Sequence, residues 1–259
     1  MILPDRLLVL IHRETDLVRL LDYKPKKIWL HVESEIELMT RLFSVQKEPE
    51  MLPWLQTNLQ KEDVFYDIGA NIGAYSLLAS ALMDGDLKVY SFEPSASNYS
   101  QLVKNIELNK WARNIIALPV ALTEKKQLIE FAYYSTVAGS ALHVVEENIS
   151  NNTDLFVQRL LSMSLDVLIT EYGLPKPTVM KIDIDGREAA LLAGAQNTLA
   201  NTALKSIFIE LEEATDDYNK SFEMLQAAGF ILISASRYFA NPDSSGHIAV
   251  FANCIFSRK

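Results

Sequence analysis

Thirteen residues, Val64-Phe65-Tyr66-Asp67-Ile68-Gly69-Ala70-Asn71-Ile72-Gly73-Ala74-Tyr75-Ser76, constrain the fold of this chain more than any others. An apolar run ends beside an acid, two glycines stand four residues apart, and an apolar pattern with helical spacing follows. That order reads as a buried strand, a tight turn and a helix start. Such a turn lets backbone N–H groups and the positive end of a helix approach a ligand closely. The next apolar strand, Val89-Tyr90-Ser91-Phe92, runs into Glu93, twenty residues after Gly73. An acid at that distance suits the hydroxyls of a ribose, so the pattern points to a nucleoside-containing cofactor.

From about residue 62 the pattern alternates strand and helix. Strands are expected at 64–68, 88–92, 115–121, 178–182 and 206–211. Helices are expected at 75–82, 97–109, 165–172 and 188–200, with Ser164 and Gly173 as caps of the third. Apolar strands in such alternation imply a mainly parallel sheet covered by helices on both faces. A helix at 216–228 and two strands at 230–236 and 248–256 close it, making seven strands with one antiparallel strand near the C-terminus. Between the third and fourth core strands lies an insertion. It has strand-like ends at 127–134 and 156–163 around the small-residue run 135–140 and His143. Insertions at that position lie near the ligand edge of an open α/β sheet.

Residues 1–60 differ. Leu7 to Leu21 is apolar with helical spacing, 28–32 resembles a short strand, and 35–43 and 51–59 read as helices. This region is expected to be a small, mostly helical cap over the mouth of the main domain, residues 61–259. Trp29, Trp54 and the 135–154 loop are candidates for lining an acceptor pocket. The first residues lack the pattern of a secretory signal and are too short for a membrane helix, which takes roughly 20 apolar residues.

The chain has 259 residues, a formal net charge of −9 and 49% apolar residues. The charge disfavours nucleic acid and anionic membranes as partners. Cys254 is the single cysteine, which forbids an internal disulfide and fits a reducing cytoplasm. Homo-oligomerisation stays open.

Ligands of open parallel sheets bind beyond the carboxyl ends of the strands. Here those ends carry Asp67, Glu93, the run Lys181-Ile182-Asp183-Ile184-Asp185-Gly186-Arg187-Glu188, and Glu210-Leu211-Glu212. A nicotinamide-dinucleotide fingerprint would need further glycines where Asn71 and Ala74 stand, and a pyrophosphate would be repelled by this acidic edge. S-adenosylmethionine has a ribose, an α-ammonium and a sulfonium and no phosphate, so it suits the edge better. Methyl transfer requires an aligned nucleophile, and a hydroxyl nucleophile also requires a base. Candidates for the base are Asp183, Asp185 and His143, with Asp183 favoured for its place at the end of strand four. Asp183, Asp185 and Glu210 also offer oxygen ligands for Mg²⁺, though a metal is not the favoured use of them. No close histidine pair or cysteine pair supports a transition metal.

The segment Asp67 to Gly73, with Phe92-Glu93-Pro94, Asn98, Asn105-Ile106 and Asn109, resembles the FkbM-type family of S-adenosylmethionine-dependent methyltransferases. Lys181 to Gly186 with Glu188 and Gly194-Ala195 resembles that family's second signature. Ser164-Leu165-Asp166 and Gly139 to His143 are similar to its connecting segments. The resemblance covers roughly residues 46–212. Many members carry Glu where this chain has Asp185, and a small residue where it has Arg187.

The resemblance implies a Rossmann-like class I methyltransferase fold. It implies that Asp67, Gly69 and Gly73 hold the methionine half of the cofactor, with Ala70, Asn71 and Tyr75 beside them. Glu93, with Pro94, would bind the ribose. Val120-Ala121 would flank the adenine and Asp183 would sit nearest the transferred methyl. Asn98 is expected to lie further away, as a helix cap. The Asn/Asp-Pro-Pro-aromatic motif of amino-methylating enzymes is absent after strand four. The resemblance therefore points to methylation of a hydroxyl on a sugar, polyketide or other small metabolite, with S-adenosylhomocysteine as the other product.

Overall fold

The computed structural model describes residues 17–133, 135–141, 144–146, 156–240 and 248–258. A short antiparallel ribbon, β1 (Val18–Leu20) and β2 (Trp29–His31), leads in. Three short helices follow: α1 (Glu35–Met39), α2 (Ser44–Lys47) and α3 (Met51–Asn58). The central sheet begins with β3 (Val64–Ile68), α4 (Ala74–Leu82), β4 (Lys88–Phe92), α5 (Ala96–Leu108) and β5 (Ile115–Leu118). An inserted sheet comprises β6 (Ala121–Leu122), β7 (Gln127–Tyr133), β8 (Val144–Glu146) and β9 (Phe156–Met163). The chain then returns through α6 (Leu165–Tyr172), β10 (Val179–Ile182), α7 (Glu188–Ala193), α8 (Gln196–Ala200) and β11 (Ser206–Glu212). It closes with α9 (Asp216–Ala227), β12 (Phe230–Phe239) and β13 (Val250–Arg258).

The central sheet has seven strands in the order β12-β13-β11-β10-β3-β4-β5. The pairs from β11 to β5 are parallel, and β13 runs against both of its neighbours. This is the expected Rossmann-like class I methyltransferase arrangement with one antiparallel C-terminal strand. The chain order reverses between β3 and β10. That reversal opens a crevice at the carboxyl ends of those two strands, where open α/β sheets bind ligands.

Strand alternation divides the core between the two faces. Phe65 and Phe208 point into one apolar cluster, with Leu77, Leu78 and Leu102. Tyr66, Ile207 and Ile209 point into the other, with Leu191, Leu192 and Phe256. Each fully buried side chain of this size stabilises the fold by about 1.5–3 kcal/mol. Residues of the N-terminal segment, among them Leu21, Ile28, Leu30, Met51 and Leu55, belong to the first cluster. Asn105 of α5 and Asn109 just after it fix that segment. Asn105 accepts from the His31 amide at 2.8 Å, and Asn109 accepts from the Trp29 amide at 2.9 Å and donates to its carbonyl at 2.7 Å.

Several local expectations are corrected. The helix expected to reach Leu21 is instead strand at Val18–Leu20, because those three residues pair with Trp29–His31; residues 7–16 lie outside the described residues. The expected 115–121 strand stops at Leu118, since Pro119 has no N–H for a ladder, and Ala121–Leu122 joins the inserted sheet. The 188–200 helix breaks at Gly194, where a Cβ would come within 2.2 Å of the Thr123 carbonyl oxygen. Ser164 and Gly173 do cap α6: Ser164 Oγ accepts from the Val167 amide at 3.3 Å, and Gly173 is left-handed at φ 72°. Among the described residues no helix is long and apolar enough to cross a membrane.

Candidate functional site

The turn after β3 is shaped by two close approaches. The Gly69 and Ala70 amides both donate to the Phe92 carbonyl at 3.0 Å, folding the chain over the end of β4. Gly69 takes φ 76°, and a Cβ there would stand 1.7 Å from the Asp183 carbonyl oxygen. Only glycine permits the ends of β3 and β10 to close to this separation.

These ends line one cavity of about 520 Å³ at the switch point. Of the residues expected to touch a cofactor, Gly69, Ala70, Asn71, Tyr75, Glu93, Pro94, Ala121 and Asp183 line it. Asp67 and Gly73 are absent from the lining. Asp67 is fully buried beneath it, while Gly73, at φ 90°, packs against Leu102 and starts α4. Val120, Leu122 and Phe131 extend the Ala121 wall into an apolar slot. Asp185 lines the cavity in a left-handed conformation at φ 59°. His143 lies outside the described residues.

Glu93 is 5% exposed and is held by two backbone donors, Asn71 N at 2.8 Å and Ser95 N at 2.9 Å. Burial outweighs those bonds and the Lys181 charge and pushes its pKa up to about 7. Ribose hydroxyls would supply the further donors that such a carboxylate lacks. The side chains of Asn71 and Asn98 anchor the insertion to this turn. Asn71 Nδ2 and Asn98 Nδ2 both donate to the Ser140 carbonyl, at 2.9 and 3.0 Å, and Asn98 Oδ1 accepts from the Gly139 amide at 2.9 Å. Asn98 is therefore a buried tie between loops that also lines the cavity, and the expectation of a helix cap is corrected; Ser95 occupies the N-cap position of α5.

A buried cation forms part of the cavity lining. Lys181 is 1% exposed; its ammonium donates to the Gly69 carbonyl at 2.9 Å and lies 3.1 Å from Asp183 and 3.6 Å from Asp67. Burial favours the neutral amine, but Asp183, Asp67 and Glu48 outweigh it and hold the lysine charged. Asp67 Oδ2 accepts from Ser76 at 2.5 Å. Its Oδ1 has no hydrogen-bond partner among the described residues, the lysine at 3.6 Å being an ion-pair neighbour only. A bidentate acid at the rim of the turn and an apolar slot fit a nucleoside, while Asp67 reaches the cavity only through the Lys181 that it faces.

The other half of the cavity was not legible as a unit. Oxygens of Glu48, Asp183 and Glu210 all lie within 4.8 Å of one another. Burial, followed by Asp183, raises the pKa of Glu48. Burial and then Asp183 push Glu210 up to about 8. Burial also opposes ionisation of Asp183, but Lys181, Lys47 and Arg41 together hold it below the usual carboxylate range. One ionised carboxylate thus stands beside two acids whose pKa values burial and its charge push up, Glu210 to about 8. If a cation were held, the ligands would be these three, with Glu48 in the place expected for Asp185. Glu188 is buried behind them and accepts from the Gly186 amide at 3.1 Å, fixing the loop that carries Asp183 and Asp185.

Glu48, Arg41, Lys47 and Tyr238 are lining residues that sequence reasoning missed. Three come from the lead-in segment and one from the last strand pair, with no motif to mark them. Trp54 and Trp29 do not line the cavity. Trp54 is core, its indole donating to Ser206 at 2.9 Å, and Trp29 lines a separate surface hollow by β1.

Comparison with known proteins agrees with this geometry. The family model described as "Methyltransferase FkbM domain" matches residues 67–232, more than half of the chain. A hexuronic acid methyltransferase, AglP, of Haloferax volcanii is 25% identical over 70% of this chain and 69% of its own length. The methyltransferase sdnD of Sordaria araneosa is 26% identical over 53% of this chain, and the match spans 62% of that relative. Among solved structures, a precorrin-6y C5,15-methyltransferase from Geobacter metallireducens superimposes with a TM-score of 0.50. That match has 14% identity, covers 85% of this chain and 91% of that one, and bears on the fold alone.

Proposed function

Because the chain belongs to the FkbM family of S-adenosylmethionine-dependent methyltransferases, we propose that its reaction is the O-methylation of a hydroxyl on a small, sugar-like acceptor. The observation that carries this reading is the division of a single cavity. A ribose-suited acid and an apolar slot lie at one end, and the Glu48–Asp183–Glu210 cluster lies at the other. S-adenosylmethionine supplies the methyl group as a sulfonium, for in-line displacement. Every other task falls to the protein's own side chains.

In this reading Asp183 receives the hydrogen bond of the attacking hydroxyl and fixes its direction. Lys181 holds Asp183 ionised, which keeps it a steady acceptor and makes it a weak base. Glu210, whose pKa is about 8, is the stronger base once ionised and is the better candidate to take the proton. Its neighbour Tyr238 hydrogen-bonds it and fixes its orientation. Positioning of this kind supplies much of the rate of a displacement between two bound partners. The relative that acts on a hexuronic acid supports a sugar acceptor.

The test has two stages. Calorimetric titration with S-adenosylhomocysteine, with NAD as control, should give saturable binding of the first alone. Transfer of radiolabelled methyl to a panel of hydroxylated glycosides should then give a product stable to mild alkali, as an ether is and a carboxylate ester is not. Saturable NAD binding would sink the cofactor assignment, and an alkali-labile product would move the methyl from hydroxyl to carboxylate.

A further inference from the structure

We propose that the acceptor carries a carboxylate, read by a cationic rim formed by Arg187, Lys47 and Arg41 in the cavity lining. The inference rests on the methyltransferase reading and adds the charge of the substrate to it. The chain is acidic overall, with 33 acids against 24 lysines and arginines, yet all three of these cations line this cavity. They come from two separate places, Arg41 and Lys47 from the lead-in segment and Arg187 from the loop after β10.

Their ties to the protein are incomplete. Arg41 donates twice to one carbonyl, that of Gly139, at 2.9 and 2.6 Å through Nε and Nη2. Lys47 lies 3.4 Å from a Glu48 oxygen with its side chain 48% exposed. Arg187 is half-buried and makes no side-chain hydrogen bond or ion pair among the described residues. A half-buried guanidinium with five donors and no acceptor is costly unless a ligand satisfies it. Its planar fork matches a carboxylate, which it binds bidentately.

The two polar zones are complementary. The acids Asp183 and Glu210 suit hydroxyl donors, and the cations suit an anion. A sugar acid presents both: one hydroxyl is turned toward Asp183, and the carboxylate is held away from the acids by the rim. The same arrangement repels cationic acceptors at the rim and gives a neutral sugar nothing to neutralise Arg187.

The probes are 4-nitrophenyl β-D-glucuronide and 4-nitrophenyl β-D-glucoside, titrated into the 259-residue chain saturated with S-adenosylhomocysteine. The glucuronide should bind at least about tenfold more tightly, as a charge-assisted bidentate pair requires. In Arg187→Gln that ratio should fall to within about twofold, and Arg187→Lys, which keeps the charge and loses the fork, should fall between the two. Lys47→Gln, measured in parallel, should lower the ratio as well. A wild-type ratio near one, or binding of neither glycoside, overturns the anionic acceptor while saturable S-adenosylhomocysteine binding keeps the methyltransferase reading. An Arg187→Gln variant that loses S-adenosylhomocysteine affinity and keeps the glycoside ratio also overturns it, because the rim would then be reading the cofactor's own carboxylate. Failure to bind S-adenosylhomocysteine at all defeats the methyltransferase reading and this inference with it. Circular dichroism on each variant confirms that the fold is intact.

Discussion

The two halves of the cavity are built in different ways. The cofactor half is local: β3, its glycine turn and the acid after β4 lie within thirty residues and are held by backbone bonds to Phe92, Asn71 and Ser95. The acceptor half is assembled at long range. Glu48, Asp183, Glu210 and Tyr238 come from four elements spread over most of the chain and are held by charge on Lys181 and by packing. Local geometry makes the first half specific and hard to alter. Balance among buried charges makes the second half tunable, and sensitive to pH.

Gly69→Ala should produce the largest effect. Its Cβ would collide with the Asp183 carbonyl, and the left-handed backbone adds roughly 1 kcal/mol to the cost. Saturable S-adenosylhomocysteine binding should vanish and the melting temperature fall; normal affinity would show that the two strand ends can part freely. Lys181→Met should come next. It leaves Asp183 and Asp67 without their shared cation, a loss of about 3–5 kcal/mol in urea unfolding at neutral pH. The deficit should shrink as pH falls and the stranded carboxylates protonate. A deficit independent of pH would mean that packing, and not charge, holds the acceptor half together.

Glu210→Gln and Asp183→Asn sharpen the comparison through turnover. Loss of the base in Glu210→Gln should cost about 10²–10⁴ in kcat, and loss of the hydroxyl's positioning acceptor in Asp183→Asn should also lower kcat, with S-adenosylhomocysteine affinity changed only a few-fold in both. In the wild-type protein kcat should rise with pH through about 8 as Glu210 ionises, and that limb should disappear in Glu210→Gln. A limb that persists would return the role of base to another group.

Glu93 should show a smaller, graded effect. Its folded pKa of about 7 lies above the ordinary 4.5, so the folded state favours its proton. That stabilising contribution is complete below 4.5 and is lost as pH rises through about 7. Ribose hydroxyls favour the carboxylate, so S-adenosylhomocysteine affinity should fall up to tenfold for each unit below that value. Glu93→Gln should abolish the dependence, and a flat wild-type profile would mean the cofactor does not meet this acid. The smallest expected effect is that of EDTA, which should leave turnover unchanged. Loss restored by Mg²⁺ would reassign Glu48, Asp183 and Glu210 as metal ligands.

Legibility followed the same division. The strands 64–68 and 88–92 and the helix 165–172 were readable to the residue, because each has its own apolar run and its own stop or cap. Of the helix expected at 7–21, only the last residues are described, and Val18–Leu20 is strand, since apolar spacing over so short a ribbon does not tell strand from helix until a partner strand is known. Asn98 was readable as a motif residue, but its partners Gly139 and Ser140 lie more than forty residues away. Asp67 was recognised from its spacing, while its place beneath the cavity, with Lys181 above it, was not.

By itself, the sequence determined the parallel α/β fold, the ligand edge of the sheet and the nucleoside-suited turn. These depend on near neighbours, on alternation and on glycine's freedom of φ. The tertiary structure alone decided which acids share a space, in which direction their pKa values move and which cations face them. Those properties follow from distance and burial, and residues 48, 183, 187 and 210 acquire both only when the lead-in segment closes over the strand ends.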